Sequence, residues 1–306
     1  MALSLICPTK YSEPWVDAMM AVDPSLDLRI WPEDGNRAEV KFALVWAQPT
    51  GIFSEYPNLQ VIASMGAGVD NLLQDPSIPV HVPVVRMVDP TLVRQMGDYV
   101  LAATLNHGRQ FPDYMQQQQW QPLAPRNVDR ITVGVMGVGQ IGMSVAKRLR
   151  AVGFQVLGWS RRPKTLADIR VLVGQQQLSD FLAASEILVC LLPLTPETEN
   201  ILNAQTLGQL PKGAYVVNVA RGNHMVEADL LALINNNHLA GACLDVFRQE
   251  PLPQGHPFWS HPKIVVTPHI ASLTDPTSVA TQIVENYRRM LAGEPLLNQV
   301  DKQRGY

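Results

Sequence analysis

The sequence predicts an α/β protein made of two doubly wound parallel-sheet domains. Three observations support this fold class: a length of 306 residues, short apolar segments that alternate with amphipathic ones, and an interruption of that alternation between residues 91 and 120. At roughly 100 to 200 residues per domain, the length suits two domains. Strands separated by helices pair in parallel through right-handed crossovers, and an open sheet covered by helices is the simplest result.

Composition excludes several classes of protein. Hydrophobic residues make up 46% of the chain and charged residues 17%, a balance typical of a packed globular protein. The 24 basic and 27 acidic side chains give a net charge of -3, which supplies no excess of cations for nucleic acid. No apolar run approaches the ~20 residues that cross a bilayer, and no basic stretch precedes an apolar one at the N-terminus. We therefore expect a cytosolic protein with neither a nucleic acid nor a membrane as partner.

The three cysteines argue against covalent or metal staples. Cys7, Cys190 and Cys243 are widely spaced and contain no C-x-x-C pair. An odd number at such spacing indicates neither a disulfide framework nor a zinc site. We interpret them as small buried apolar residues, and no metal site is predicted.

Apolar segments place the strands. In the first part of the chain we predict strands at residues 3–7, 26–31, 42–47 and 61–64. Residues 91–120 carry apolar side chains at helical spacing, which predicts one or two linking helices, and the two prolines of residues 121–125 end them. Six further strands are predicted at residues 131–136, 155–159, 187–191, 214–219, 240–244 and 264–267, a number that fits a dinucleotide-binding sheet. A last amphipathic helix follows His269 and is expected to return to the first domain.

A glycine-rich loop follows the first strand of the second block. It reads Gly137, Val138, Gly139, Gln140, Ile141, Gly142, and an amphipathic helix follows at once. The first glycine permits a tight turn, the second lets the backbone approach a pyrophosphate, and the third lets the helix pack on the strand. The strand, loop and helix in this order predict a dinucleotide site; the alternative is a glycine-rich turn that binds nothing.

The next strand ends in basic residues. An acidic residue about 20 positions beyond the first glycine would indicate NAD, because it binds the ribose hydroxyls. This chain has Ser160, Arg161, Arg162 and Lys164 at that place instead. Guanidinium groups match the geometry of a phosphate, so we predict NADP (NADPH) as cofactor, with NAD as a weaker alternative. The alternative interpretation is a solvated basic loop.

Three ionisable residues follow three other strands of the second block. They are Arg221, Glu250 and His269, and the carboxyl ends of parallel strands meet at one edge of a sheet, where ligands bind. An arginine can bind a 2-keto carboxylate, a histidine can donate a proton to the carbonyl oxygen, and a carboxylate beside the histidine favours the protonated ring. Taken singly, each residue could be structural. Together they predict a catalytic site.

Four motifs of the sequence resemble those of a known protein family. They are the glycine loop at 137–142, Asn-Val-Ala-Arg-Gly at 218–222, Leu-Asp-Val-Phe at 244–247 with Glu250-Pro251, and Thr-Pro-His-Ile-Ala at 267–271. In this order they resemble the D-isomer-specific 2-hydroxyacid dehydrogenases over almost the whole chain. The chain is similar to the branch of that family that reduces glyoxylate and hydroxypyruvate in three features: residues 64–70, the short length and the basic segment.

The resemblance implies a fold, an assembly and further site residues. It implies a Rossmann cofactor domain (residues 96–274) inserted into a flavodoxin-like substrate domain (residues 1–95 and 275–306), and a homodimer formed through the cofactor domain. It implies that the cofactor also contacts Leu192, Pro193, Val219, Ala220 and Asp245. It implies that the substrate contacts Trp46, the backbone amides of Met65, Gly66, Ala67 and Gly68, and Arg221. Trp46 and Trp120 either line a small pocket or serve as packing residues.

The expected function is NADPH-dependent reduction of small 2-keto acids, glyoxylate or hydroxypyruvate, to D-2-hydroxy acids. Two alternatives stay open: formate or phosphite dehydrogenase chemistry on the same fold, and a nucleotide-sensing corepressor. Two segments depart from the family pattern, Gly97-Asp98 and Asn223-His224-Met225. We interpret the remaining histidines as structural: His81, His107, His224, His238, His256 and His261.

Overall fold

The computed structural model describes residues 1–8, 11–302 and 305. The chain divides into two compact units, one of Met1–Leu92 and Leu273–Tyr306 (unit 1) and one of Val93–Ser272 (unit 2). Each unit contains one parallel β-sheet with helices, which confirms the predicted α/β class. The predicted boundaries after residues 95 and 274 lie near the changes after Leu92 and Ser272. Which unit binds cofactor and which binds substrate stays a prediction.

Unit 1 has a five-stranded sheet. Its strands are β1 (Ala2–Ile6), β2 (Leu28–Ile30), β3 (Val40–Val45), β4 (Val61–Ser64) and β5 (Val84–Val85). They lie in the order β2-β1-β3-β4-β5 and every pair is parallel. The central strands are buried on both faces, so they appear in the sequence as continuous apolar runs. The two-residue β5 was not predicted, because so short a strand leaves no pattern.

The helices of unit 1 cover this sheet. They are α1 (Ser12–Val22), α2 (Asp70–Leu73), the first residues of α3 (Pro90–Gly108), and α9 (Pro276–Ala292). The last helix, α9, starts behind the N-cap Asp275, whose carboxylate accepts a hydrogen bond from Thr277 N. It packs against α1 and buries Ile283 and Tyr287 with the sheet residues of unit 1. The C-terminal helix therefore returns to the first unit, as the sequence predicts.

Unit 2 has a seven-stranded parallel sheet. Its strands are β6 (Thr132–Met136), β7 (Gln155–Ser160), β8 (Arg170–Val173), β9 (Ile187–Cys190), β10 (Ala214–Asn218), β11 (Leu239–Leu244) and β12 (Ile264–Val266). Their order is β12-β11-β10-β9-β6-β7-β8, the Rossmann order with one more strand at the far edge. The prediction of six strands was wrong. The missed strand, β8, lies at the sheet edge, and only Leu172 in it is fully buried, so its apolar pattern is weak.

The helices of unit 2 place the loops of interest. They are the rest of α3, α4 (Phe111–Met115), α5 (Gln140–Val152), α6 (Leu178–Ala183), α7 (Ala204–Leu207) and α8 (Glu227–Asn235). Successive strands are added on one side of β6 up to β8 and on its other side from β9 onwards. This switch point between β6 and β9 opens a crevice at the carboxyl ends of the strands. In the part of the chain that the structure describes, no helix combines the length and the apolarity that a membrane span requires.

Candidate active site

The glycine loop connects β6 to α5 at the switch point. Gly137 has φ +97°, and a Cβ there would lie 2.6 Å from the carbonyl oxygen of Leu191. A Cβ at Gly142 would lie 1.9 Å from the carbonyl oxygen of Gly137. Both positions therefore require glycine. At Gly139 a Cβ would meet no described residue within 4 Å, so the backbone is open to a ligand there.

The start of α5 suits an anion. Gly139 is the N-cap and has no side chain to accept the first N–H groups of the helix, and Gln140 and Ile141 form its first turn. Those N–H groups and the helix dipole attract negative charge. The loop after β9 runs beside this turn, since Leu191 N donates a hydrogen bond of 2.8 Å to Met136 O, and Leu192 and Pro193 follow. The cradle fits the pyrophosphate of a dinucleotide.

The basic residues that follow β7 differ in their surroundings. Arg161, Arg162 and Lys164 are exposed, whereas Ser160 is buried and its hydroxyl donates a hydrogen bond of 2.6 Å to Arg162 O. The Ser160 proton is therefore used to shape the turn, and its oxygen can only accept from a ligand. A hydrogen bond from Thr195 lowers the pKa of Glu197, and the charge of Arg161 lowers it further, so this carboxylate lies near the basic cluster.

Arg221, Glu250 and His269 come together at one edge of the unit 2 sheet. They follow β10, β11 and β12, and His269 Nδ1 lies 2.7 Å from Glu250 Oε2. The other carboxylate oxygen accepts a hydrogen bond of 2.9 Å from Phe247 N. Because a carboxylate accepts and does not donate, Nδ1 carries a proton, and Nε2 is the ring atom left for a substrate.

The charge of Glu250 depends on its neighbours. Burial raises the pKa of its carboxyl, but hydrogen bonds from His269 and Phe247 N, and then the charges of His269 and Arg221, lower the pKa to a net value below the ordinary 4.5. Glu250 is therefore ionised at neutral pH. The charge of Arg221 makes the smallest of these contributions.

The loop that carries His269 is held by Asp245. His269 has φ 56° and its N–H donates a hydrogen bond of 2.9 Å to Asp245 O. The buried Asp245 carboxylate accepts hydrogen bonds from Ile270 N and Ala271 N, both at 2.8 Å, and from Thr267 Oγ1 at 2.6 Å. Predicted as a cofactor residue, Asp245 here anchors the loop. These contacts leave the cofactor role of Asp245 a proposal.

Tyr99 extends this anchor to α3. Its hydroxyl lies 2.5 Å from Thr267 Oγ1, and since Thr267 donates to Asp245, Tyr99 donates to Thr267. Sequence reasoning missed Tyr99, because only the folded chain brings α3 beside the strand that precedes His269. Thr267 lay inside a quoted motif but was given no role.

The Gly97-Asp98 pair of α3, which was expected from the sequence to depart from the family pattern, lies against the side chain of Arg148. Asp98 forms an ion pair with Arg148, and a Cβ at Gly97 would lie 3.2 Å from the Arg148 side chain. The Gly97-Asp98 pair therefore makes room for this arginine and holds it within unit 2.

The predicted substrate loop lies in unit 1, and its amides differ in availability. Met65 N donates to Val45 O at 3.0 Å, and Gly66 N donates to Ser64 Oγ at 3.2 Å. These two amides are engaged inside the unit. Among the described residues, the N–H groups of Ala67 and Gly68 have no hydrogen-bond acceptor. The loop can therefore offer two amides to an anion, fewer than the four that were predicted.

The two tryptophans have different surroundings. The ring of Trp46 covers Gly66, where a Cβ would lie 2.9 Å from Trp46 Cζ3, and it remains 44% exposed. Trp120 is 98% exposed. The interpretation of Trp120 as a packing residue was wrong, because the segment between α4 and β6 runs over the surface of unit 2 and has no core to enter.

Comparison with known proteins identifies the family. The model of the D-isomer specific 2-hydroxyacid dehydrogenase NAD-binding domain matches residues 99–271. A glyoxylate/hydroxypyruvate reductase A from Yersinia enterocolitica is 40% identical over 303 residues, which cover 96% of each chain. Another protein of that name, from Serratia proteamaculans, is also 40% identical over 303 residues, again 96% of each chain.

Solved structures agree with this family in both fold and sequence. A D-isomer specific 2-hydroxyacid dehydrogenase from Xanthobacter autotrophicus Py2, solved with NADPH and MES, is 44% identical with a TM-score of 0.95 and covers 100% of this chain and 99% of its own. An NADPH-dependent glyoxylate/hydroxypyruvate reductase from Sinorhizobium meliloti, solved with NADP and sulfate, is 33% identical with a TM-score of 0.93 and full coverage of both chains (100% each). The chain therefore belongs to the D-isomer-specific 2-hydroxyacid dehydrogenase family.

Proposed function

We propose that this protein is an NADPH-dependent 2-hydroxyacid dehydrogenase that reduces small 2-keto acids, glyoxylate and hydroxypyruvate first, to glycolate and D-glycerate. The observation that carries the proposal is the 2.7 Å contact of His269 with Glu250 at the sheet edge that also carries Arg221. Relatives at 40% identity named glyoxylate/hydroxypyruvate reductase A support the choice of substrate.

The dinucleotide is held by residues at five strand ends, those of β6, β7, β9, β10 and β11. The loop Gly137, Gly139, Gln140, Ile141 and Gly142 binds the pyrophosphate through backbone N–H groups. Arg161, Arg162 and Lys164 bind a 2′-phosphate, and Ser160 Oγ accepts a hydrogen bond from a ribose hydroxyl. The rest of the site is lined by Leu192, Pro193, Val219, Ala220 and Asp245. When bound, the reduced nicotinamide supplies the hydride for C2 of the keto acid.

The side chains of unit 2 supply binding and the proton. Arg221 binds the substrate carboxylate and polarises the carbonyl group. His269 donates the proton on Nε2 to the carbonyl oxygen, which becomes the hydroxyl group of the product. The ring is left neutral with its Nδ1 proton still shared with Glu250. Because 38% of the His269 side chain is exposed, solvent can return the proton to Nε2.

Unit 1 contributes anion donors. Within unit 1, we propose the N–H groups of Ala67 and Gly68 as donors to a carboxylate, with Met65 and Gly66 shaping the loop through their own hydrogen bonds. Trp46 covers the same loop and would exclude water from one side of a small acid.

A panel of 2-keto acids tests this proposal against its alternatives. Oxidation of NADPH on addition of glyoxylate or hydroxypyruvate, slower with NADH, is the expected result. A pure sensor would leave the cofactor unchanged. Formate and phosphite dehydrogenases would reduce NAD(P)⁺ with formate or phosphite, and formate dehydrogenases resemble this family but have Gln where Glu250 stands. Faster turnover with NADH across the panel would overturn the preference for NADPH.

We also propose a homodimer formed through unit 2 and a cytosolic location. Support for the dimer comes from exposed apolar side chains in and after α4, where Met115 is 83% and Trp120 98% exposed. Patches of this kind mark interaction surfaces. Support for the location comes from Cys7, Cys190 and Cys243, which are all free thiols in the structure.

A further inference from the structure

We infer that His224 is a positioning residue that ties the arginine of the active site to the cofactor loop after β9. This inference rests on the proposed function, because it takes Arg221 and Pro193 as site residues.

The imidazole of His224 is fully buried and bridges two loops. Its Nε2 lies 3.2 Å from Pro193 O, in the loop that follows β9. Its Nδ1 lies 3.2 Å from Arg221 N and 3.1 Å from Arg221 O, in the loop that follows β10. One ring therefore contacts two neighbouring strand ends of the sheet at the switch-point side.

The acceptors around the ring decide its tautomer. Pro193 O can only accept, so Nε2 carries a proton. Arg221 O already accepts from Asn218 Nδ2 at 3.0 Å and from His224 N at 3.2 Å, which use its two lone pairs. The neutral ring with Nδ1 as acceptor of the Arg221 N–H satisfies every group. His224 is thus a donor to one loop and an acceptor from the other.

The same loops are also joined by their backbones. Asn200 N donates to Asn223 O at 2.9 Å and Leu202 N donates to His224 O at 2.8 Å. Thr198 Oγ1 donates to Pro193 O at 2.7 Å and supplies the second hydrogen bond of that carbonyl. The backbone bonds fix residues 200–202 against 223–224, and the ring joins Pro193 to Arg221. We conclude that the ring sets the positions of these two residues, and that loop geometry of this kind controls ligand affinity.

Two amide variants separate the two halves of the bridge. In His224→Gln the side-chain N–H takes the place of Nε2, so the bond to Pro193 O survives and the bond to Arg221 N is lost. In His224→Asn the side-chain oxygen takes the place of Nδ1, so the bond to Arg221 N survives and the bond to Pro193 O is lost. His224→Leu removes both bonds.

The readouts are the Kd of NADPH, measured by calorimetry without substrate, and the KM of glyoxylate. Losing one hydrogen bond predicts a change of about 3- to 10-fold. His224→Gln should raise the KM of glyoxylate by that factor and leave the Kd of NADPH within about twofold. His224→Asn should do the reverse, and His224→Leu should raise both. A histidine that merely fills space predicts equal shifts in both constants for the two amide variants, or none, and either result would overturn the inference.

Controls keep this test separate from folding and from the proposed function. His238→Gln makes the same substitution at the amino end of β11, away from the carboxyl ends of the strands that carry the site. The ring Nε2 of His238 has no partner among the described residues, so this variant should change neither constant. Nitrogen NMR of wild-type protein at pH 7 should find the His224 proton on Nε2, and a proton on Nδ1 instead would contradict the bridge. If wild-type protein turns over neither glyoxylate nor hydroxypyruvate, the proposed function fails, whereas the NADPH Kd of His224→Asn still decides the cofactor half of the inference.

Discussion

At the scale of single residues, the charge of Glu250 determines how the site responds to pH. Its carboxylate has two hydrogen-bond donors, His269 and Phe247 N, and the charges of His269 and Arg221 add to them. The net lowering of its pKa below 4.5 means that the native state favours the ionised form. A carboxylate with a lowered pKa stabilises the fold above its unfolded pKa and loses that contribution as the pH falls through its native pKa.

Replacing Glu250 by Gln tests this dependence. The variant keeps the shape of the side chain but removes the charged acceptor that orients Nδ1 of His269, so kcat at pH 7.5 should fall roughly 10- to 100-fold, within the range of acid catalysis. The acid side of the stability curve should also flatten. In urea unfolding, the advantage of wild type over the variant should be present above pH 4.5 and shrink below it. Equal kcat–pH profiles for the two proteins would contradict the role of Glu250.

We propose that the basic residues after β7 determine the choice of cofactor. Replacing Arg161 or Arg162 by Ala should weaken NADPH binding about 10- to 100-fold, the worth of one charge-assisted hydrogen bond, and leave NADH binding unchanged. Glu197→Gln should strengthen NADPH binding slightly, because it removes a carboxylate that lies near Arg161. Arg150→Ala, at the far end of α5, is the matched control. Titrations of both cofactors measure these effects, and a parallel loss of NADH affinity would argue for a general structural effect.

At the scale of elements, the strand ends explain why the sequence can place three candidate residues near one another. Arg221, Glu250 and His269 follow three strands whose buried apolar runs are visible in the sequence, and parallel pairing places their ends together. Tyr99 and His224 could not be found in this way, because their partners are set by how α3 and two loops pack. The edge strand β5 was missed because it has only two residues, and β8 was missed because only one of its four residues is buried.

The packing of α3 on β10 makes the free energy of unfolding depend on pH through His107. The His107 ring stacks on Tyr215 with centroids 4.2 Å apart, and burial, together with the charge of Arg126, lowers the pKa of His107 to about 4. In the unfolded chain His107 binds a proton near pH 6.5, whereas in the native protein it does so only near pH 4. The contribution of the neutral His107 to the free energy of unfolding is therefore complete above pH 6.5 and decreases as the pH falls towards 4.

His107→Phe isolates this effect. The variant keeps an aromatic ring on Tyr215 but cannot titrate, so its free energy of unfolding should change less between pH 7 and pH 4.5 than that of wild type, by up to about 3 kcal/mol. Urea unfolding at several pH values gives the difference. A wild-type curve that runs parallel to that of the variant would show that His107 protonates equally in both states.

At the scale of the whole molecule, burial protects the thiols. Cys7, Cys190 and Cys243 are all buried, and burial raises the pKa of Cys190 to about 12 and that of Cys243 to about 11. The thiolate is the reactive form. We expect native protein to react with a thiol reagent only at its unfolding rate, and three thiols to appear in guanidinium. Fast labelling of native protein at pH 8 would show that a thiol is accessible.

The exposed apolar side chains in and after α4 provide the test of assembly. If Met115 and Trp120 lie in a dimer interface, replacing both by Ser should give monomers at micromolar concentration, as measured by light scattering after gel filtration. A double substitution of the exposed Val80 and Tyr11 in unit 1 by Ser is the control and should leave the mass unchanged. A wild-type protein that is monomeric at all concentrations would refute the dimer.

The α/β architecture was predictable because parallel strands buried on both faces appear as continuous apolar runs, and because a glycine loop needs a strand before it and a helix after it. The number of amides that the loop at 65–68 can offer was not predictable. It depends on the tertiary hydrogen bonds of Met65 and Gly66, which only the folded chain determines.

The central claim, that His269 is the proton donor of a keto-acid reductase, is tested most directly by the kcat of His269→Ala with glyoxylate and NADPH. The claim predicts a fall of about 10²- to 10⁴-fold in kcat, with the Kd of NADPH within about twofold of wild type. Turnover at the wild-type rate by this variant, with cofactor binding intact, would contradict it.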